Sequence, residues 1–93
     1  MNYTITHEEK YQQFTAKLDN EEEAELAYAK PQDGILDFTH TYVPEAYRGK
    51  GLAQQLIETG LAYARQNGYK VIATCTAVQG YVKQHPEHQD LLQ

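Results

Sequence analysis

Ninety-three residues, 41% hydrophobic with six Gly, three Pro and one Cys, make one domain, 1–93, that buries roughly two-thirds of its unfolded surface. That composition excludes a disordered chain and an internal disulfide framework. A formal charge of −5 argues against nucleic acid or an anionic membrane as partners. The sequence lacks an apolar run of about 18 residues, and the polar lead after Met1 is no secretion signal, so the cytoplasm is the expected compartment. The charge is unevenly spread. Residues 1–45 carry ten acidic residues against three lysines, a balance of −7, and residues 46–93 carry three acidic against five basic, a balance of +2.

In chain order, Met1 to Lys10 is polar, with Tyr3 and Ile5 compatible with a short edge strand. From Tyr11 to Leu18 the pattern alternates, Phe14, Ala16 and Leu18 against Thr15 and Lys17, the period of a half-buried strand. A turn at Asp19-Asn20-Glu21 leads to a second alternation, Ala24, Leu26 and Tyr28 against Glu25, Ala27 and Ala29. Glu21 to Glu23 reads as a solvated hairpin shoulder, and Pro31-Gln32-Asp33-Gly34 as a turn. Ile35 to Val43 is the third strand. Simple alternation puts Leu36, Phe38, His40 and Tyr42 on one face and Ile35, Asp37, Thr39, Thr41 and Val43 on the other. Pro44 ends it.

From Gly51 the period changes to that of a helix, with Leu52, Ala53, Leu56, Ile57, Gly60, Leu61 and Ala64 on one stripe and Gly68 as its stop. Tyr69 to Thr74 is a short apolar strand, parallel to the third through a right-handed crossover. Ala77, Val78, Tyr81 and Val82 mark a second helix stopped near Pro86, and Leu91 and Leu92 pin the tail. The class is α+β: an antiparallel three-stranded meander, a helix, a parallel fourth strand and a C-terminal helix.

The join between the third strand and the first helix, Tyr47-Arg48-Gly49-Lys50-Gly51-Leu52-Ala53, places two cations among two glycines at a helix start. Unpaired amides and a partial positive charge gather there, and glycine lets an anion come close. A Walker loop needs a hydroxyl residue where Gly51 stands, and a dinucleotide fingerprint needs a glycine at Gln54. What remains is Arg-x-x-Gly-x-Ala, carried by Arg48, Gly51 and Ala53.

That pattern resembles the pyrophosphate loop of the GNAT superfamily of acyl-CoA N-acyltransferases. With Asp37 to Pro44, Cys75 and Tyr81, the chain from about Phe14 to Leu92 resembles the small, single-domain GNAT-like proteins. The resemblance implies acetyl-CoA or coenzyme A as cofactor, lying where the third and fourth strands splay. Thr41, Tyr42 and Val43 would flank the pantetheine arm, with the backbone of Tyr42 and Val43 pairing with it. Arg48, Gly49, Lys50, Gly51, Leu52 and Ala53 would hold the pyrophosphate. The implied reaction is acetyl transfer to an amine, and the alternative is a CoA-binding or protein-interaction module with little turnover.

Such a transfer needs an amine proton removed, an oxyanion stabilised and a thiolate protonated. His40 precedes the loop. It reads as a general base, as an orienter of the acceptor, or as a plain surface or sheet-packing side chain; the resemblance places a histidine here near the thioester. Cys75 ends the fourth strand and reads as a nucleophile, as a lining residue or as a small buried hydrophobe. An activated Cys75 would need His40 across the wedge. Tyr81 resembles the tyrosine that protonates the departing thiolate, yet it also falls on the apolar stripe with Ala77 and Val78. His85-Pro86-Glu87-His88 offers two histidines with no third ligand, so no metal is expected. Ordinary GNAT enzymes carry further front-end helices, so the acceptor side here is expected to be shallow, shared or suited to a large substrate. The expected assembly is a monomer or weak homodimer.

Overall fold

The computed structural model describes residues 3–93; the reading of Met1 as leading no signal segment lies outside them. Five strands form one mixed sheet: β1 (Ile5–Glu8), β2 (Gln13–Lys17), β3 (Glu23–Gln32), β4 (Ile35–Tyr42) and β5 (Lys70–Ala73). Neighbours in space are neighbours in sequence, antiparallel from β1 to β4 and parallel between β4 and β5. Helix α1 (Leu52–Gln66) and helix α2 (Thr76–Gln84) follow β4 and β5. A 3-10 segment, Pro86–Leu91, comes last.

The meander therefore has four strands and not three. Ile5 pairs with Ala16 and Glu8 with Gln13, so the polar front end does form the edge strand. The first alternating run is shorter than its pattern. Tyr11, 65% exposed, sits in a 3-10 turn at Glu9–Tyr11, and Gln12 at φ 54° turns the chain into β2. The glutamates of the β2–β3 turn are exposed.

The alternation of β4 is broken in its middle. Ala27 pairs with His40 and Tyr28 with Phe38, which leaves Thr39 without a partner on β3. One extra residue in a strand exchanges the faces of everything beyond it. Thr41 stands opposite the buried Leu26, and Val43 joins the core. His40 and Tyr42 stand opposite Ala27 and Glu25, on the other face. The expectation that His40 and Tyr42 share a face with Phe38 is thus corrected: the bulge at Thr39 turns them away.

The core lies between one sheet face and α1. Phe14, Ala16, Leu26, Tyr28, Leu36 and Phe38 meet Leu52, Leu56, Ile57, Leu61 and Ala64. Gly60 lets the helix come close, because a Cβ there would lie 2.8 Å from Leu26 and 3.0 Å from Phe38. Helix α1 stops at Gly68 (φ +74°), with the Tyr69 amide bonded to the Ala64 carbonyl at 2.9 Å. His7 stacks on Phe14 with centroids 4.3 Å apart and bonds the Tyr28 hydroxyl at 2.5 Å.

Helix α2 and the 3-10 segment pack on α1, not on the opposite sheet face. Tyr81 donates to Glu58 at 2.5 Å, and His88 Nε2, its side chain 8% exposed, lies 2.9 Å from the same carboxylate. Arg65 grips Asp90 through two bonds of 2.8 and 2.9 Å and donates to the Glu87 carbonyl at 3.1 Å.

These contacts set an acid limit on stability. Burial pushes Glu58 up, but hydrogen bonds from Tyr81 and His88 outweigh it and leave its carboxyl below the ordinary 4.5. The Arg65 hydrogen bond holds Asp90 at about 2, against an ordinary 3.8. Both carboxyls therefore add stability above their ordinary values, and it is lost as pH falls towards about 2. Burial lowers His7 from its ordinary 6.5, so the fold prefers it neutral and loses that stability as pH falls below 6.5. Melting curves by circular dichroism are expected to show a Tm level above pH 7, falling below about 6.5 and again below about 4.5. Asp90→Asn should flatten the lowest part of that profile; an unchanged profile would remove the Arg65–Asp90 explanation.

Candidate functional site

A 3-10 turn at Glu45–Tyr47 carries the chain from β4 towards α1, closed by Tyr47 N–H to the Pro44 carbonyl (2.9 Å) and Arg48 N–H to the Glu45 carbonyl (3.2 Å). Gly49 and Gly51 then adopt φ of +77° and +83°, and a Cβ on either would meet nothing within 4 Å. Their demand is conformational: the loop needs a left-handed backbone twice within three residues. Gly51 is the N-cap of α1, so it offers no side chain to the first turn, and that turn holds no acidic residue. The first α1 bond runs from Gln55 N–H to the Gly51 carbonyl. The amides of Leu52, Ala53 and Gln54 thus lack an intrahelical acceptor.

Those groups rim a cavity of about 250 Å³ lined by Val43, Tyr47, Arg48, Gly49, Gly51, Leu52, Ala53 and Gln54. Arg48 Nε donates to the Val43 carbonyl at 2.8 Å, which fixes the guanidinium beside the cavity with its terminal nitrogens to spare. Lys50 lies 5.8 Å from the Tyr47 ring. An uncapped helix start, two Cβ-free left-handed turns and a braced arginine fit the pyrophosphate of a coenzyme A-type ligand.

The strand pair that feeds this loop is uneven, β4 running on past the end of β5, and the space beside that overhang is where the wedge is expected. Parallel pairing runs from Ile35 with Lys70 to Phe38 with Ala73, and Cys75 N–H to the Phe38 carbonyl (2.9 Å) closes it. Beyond that point β4 pairs only with β3, so its backbone edge from Thr39 to Tyr42 has no neighbour in β5. Such an edge can pair with an extended ligand. The sequence alone missed the groups that hold the β5 side. Gln79 donates to the Ala73 carbonyl at 2.7 Å, and Asp37 accepts from the Thr74 amide at 3.3 Å. Neither carries a local motif.

The candidate chemical residues do not converge on one point. Cys75, half-buried at the N-cap of α2, has its Sγ 3.2 Å from the Thr41 hydroxyl across the wedge. The bulge puts His40 on the other sheet face, exposed. Tyr81 is turned to α1, where its hydroxyl donates to Glu58 and its ring stacks on His85 with centroids 3.9 Å apart. Burial first, and then the Glu58 bond, pushes the Tyr81 phenol up to about 12. Among the described residues no group of three or more His, Cys, Asp or Glu is placed to hold a metal ion, and no helix is long and apolar enough to cross a membrane.

Comparison with known proteins bears on the same elements. The family model for GCN5-related N-acetyl-transferase matches residues 13–91. Protein NATD1 of Gallus gallus is 38% identical over 88 residues, covering 94% of this chain and 80% of its own. Protein NATD1 of Homo sapiens is 36% identical, with 94% and 78% covered. A Staphylococcus aureus protein described as GCN5-like and solved by NMR superposes with a TM-score of 0.78 at 25% identity, over 99% of this chain and 89% of that one.

Proposed function

The chain belongs to the GCN5-related N-acetyltransferase family, and from that premise we propose that it binds acetyl-CoA in the β4–β5 wedge and transfers the acetyl group to an amine. The observation that carries this reading is the uncapped α1 N-terminus with its two left-handed glycines, set beside a parallel strand pair in which β4 outruns β5. When bound, acetyl-CoA supplies an acyl carbon that exchanges its C–S bond for a C–N bond. The amides from Gly49 to Gln54 and the Arg48 guanidinium neutralise the pyrophosphate. The β4 edge at Thr41 and Tyr42, continued by the Val43 amide, aligns the pantetheine arm. His40, exposed on the far face, takes the proton of the incoming amine, and water protonates the departing thiolate.

Direct transfer is the better-supported route. The thiol of Cys75 is neighboured by the Thr41 hydroxyl, not an imidazole, and His40 projects from the opposite face. Cys75 and Thr41 then line the thioester end of the wedge. Tyr81, held by Glu58, serves this reading as a strut between α2 and α1 rather than as the acid. The runner-up, a CoA-binding module with little turnover, draws on the bareness of the acceptor face, since α1, α2 and the 3-10 segment all pack on the other side.

Calorimetric titration with acetyl-CoA and CoA, followed by mass spectrometry of the same sample, separates these readings. Saturable binding without an adduct, then acetylation of an added amine, is the expected result. An acetyl adduct on Cys75, lost in Cys75→Ala, would replace direct transfer by an acyl-enzyme. Binding with no acceptor in an amine screen would favour the module, and no binding at millimolar ligand would end the donor-site reading.

A further inference from the structure

Among the described residues nothing forms a second layer on the sheet face that carries His40, and its charge is one-sided. Core residues Phe14, Leu26 and Phe38 point to α1, so their strand neighbours point the other way. Register places Thr6, Thr15, Glu25 and Tyr42 in one row across four strands, and Glu8, Gln13, Ala27 and His40 in the next. Glu25 is half-buried in the first of these rows, and its carboxylate has no hydrogen bond or ion pair among the described residues. Ala27, opposite His40, leaves low ground between the two. On the β1–β3 side of the same face, Thr6, Glu8, Thr15, Lys17 and Glu23 line a shallow cavity of about 140 Å³. The one cation among the described residues that line it, Lys17, is paired in register with Glu23.

Resting on the donor-site reading of the wedge, we propose that this bare face binds a basic segment of another protein, whose lysine is presented to His40. The acidic half of the chain builds this face, while Arg48 and Lys50 stand on the donor side. A polyanionic donor is thus turned away from the surface that attracts the cationic acceptor. The uncovered acids are too widely spread for one small diamine. Strands lie about 4.8 Å apart and residues about 3.4 Å apart along them, so the Glu8–Glu23 cavity is about 12–17 Å from His40. An extended chain covers that in about four or five residues. A second cation at that spacing from the reacting lysine would reach the cavity while passing Glu25.

The test compares two fluorescent nonapeptides, each with one central lysine, bearing arginine or alanine four residues away. Anisotropy titrations at low salt are expected to show the arginine peptide binding about three- to tenfold tighter. The difference should vanish at about 0.5 M salt and in Glu25→Lys, and shrink in Glu25→Gln. Calorimetry of both variants should show acetyl-CoA bound as tightly as by the unaltered chain, which also verifies their folding. Equal binding of the two peptides overturns the proposal, as does an intact preference in Glu25→Lys. Spermidine acetylated in preference to both peptides would overturn it in favour of a small polyamine. Peptide discrimination without acetyl-CoA binding would support the platform and sink the donor-site reading; donor binding without discrimination would do the reverse.

Discussion

Gly60→Ala is expected to lower the melting temperature by about 5–10 °C, although alanine is the better helix former by about 1 kcal/mol. The new methyl would lie 2.8 Å from Leu26 Cδ2 and 3.0 Å from Phe38 Cε1, closer than carbon atoms pack. Both neighbours are fully buried, so neither can swing into solvent. Overpacking of this kind costs about 1–3 kcal/mol, which exceeds the helix gain. Thermal melts of Gly60→Ala, Leu26→Ala and the pair make the check. Leu26→Ala removes the nearest obstacle, so the double variant should be less destabilised than the two singles added together. A Gly60→Ala protein that melts at or above the unaltered one would show that helix and sheet are not in such close contact.

The largest effect on binding is expected at Gly51. Gly51→Val should weaken acetyl-CoA at least about tenfold, and Lys50→Ala by no more than about threefold. Space is not the obstacle, since no atom lies within 4 Å of the missing Cβ. The obstacle is φ +83°, which a β-branched residue adopts only at a cost of about 1–3 kcal/mol. Relaxing that angle would re-aim the amides of Leu52, Ala53 and Gln54. Lys50 contributes a single surface charge near Tyr47. Gly68→Ala provides the control, because Gly68 has a similar φ of +74° at the other end of α1. It should destabilise the fold and leave affinity alone. If Lys50→Ala proves the more damaging change, side-chain charge rather than backbone geometry holds the anion.

Much of the site was legible because it is local. The stripe from Leu52 to Ala64, the glycines of the loop and the Gly68 stop lie within one stretch, and each follows from helix period or backbone freedom. The bulge at Thr39 was not. Neither glycine nor proline marks it, and Thr39 fits a regular strand as well as a bulged one. Every face assignment beyond Thr39 therefore came out inverted, which sets His40 on the face away from Cys75. The strut formed by Glu58, Tyr81 and His88 was equally invisible, since its members are 23 and 30 positions apart and meet only once α2 has docked. Strand β1 showed only as Tyr3 and Ile5 in a polar lead, because an edge strand with one open face needs few apolar residues.

The order of the strands has a kinetic consequence. Because β1 to β5 lie side by side as they leave the ribosome, each new strand meets a partner already made, across a turn or a single helix. Loop closures stay short, and low sequence separation between contacts speeds folding, here to about milliseconds. The wedge is the exception. Its β5 side is secured only when Gln79 reaches the Ala73 carbonyl and the Gln93 amide reaches Val71 at 3.0 Å. The turn at Gly49 and Gly51 depends on local backbone and on the docking of α1, whereas the β5 side of the wedge is held by residues as distant as Gln93, so the two sides of the proposed donor site answer to different parts of the chain.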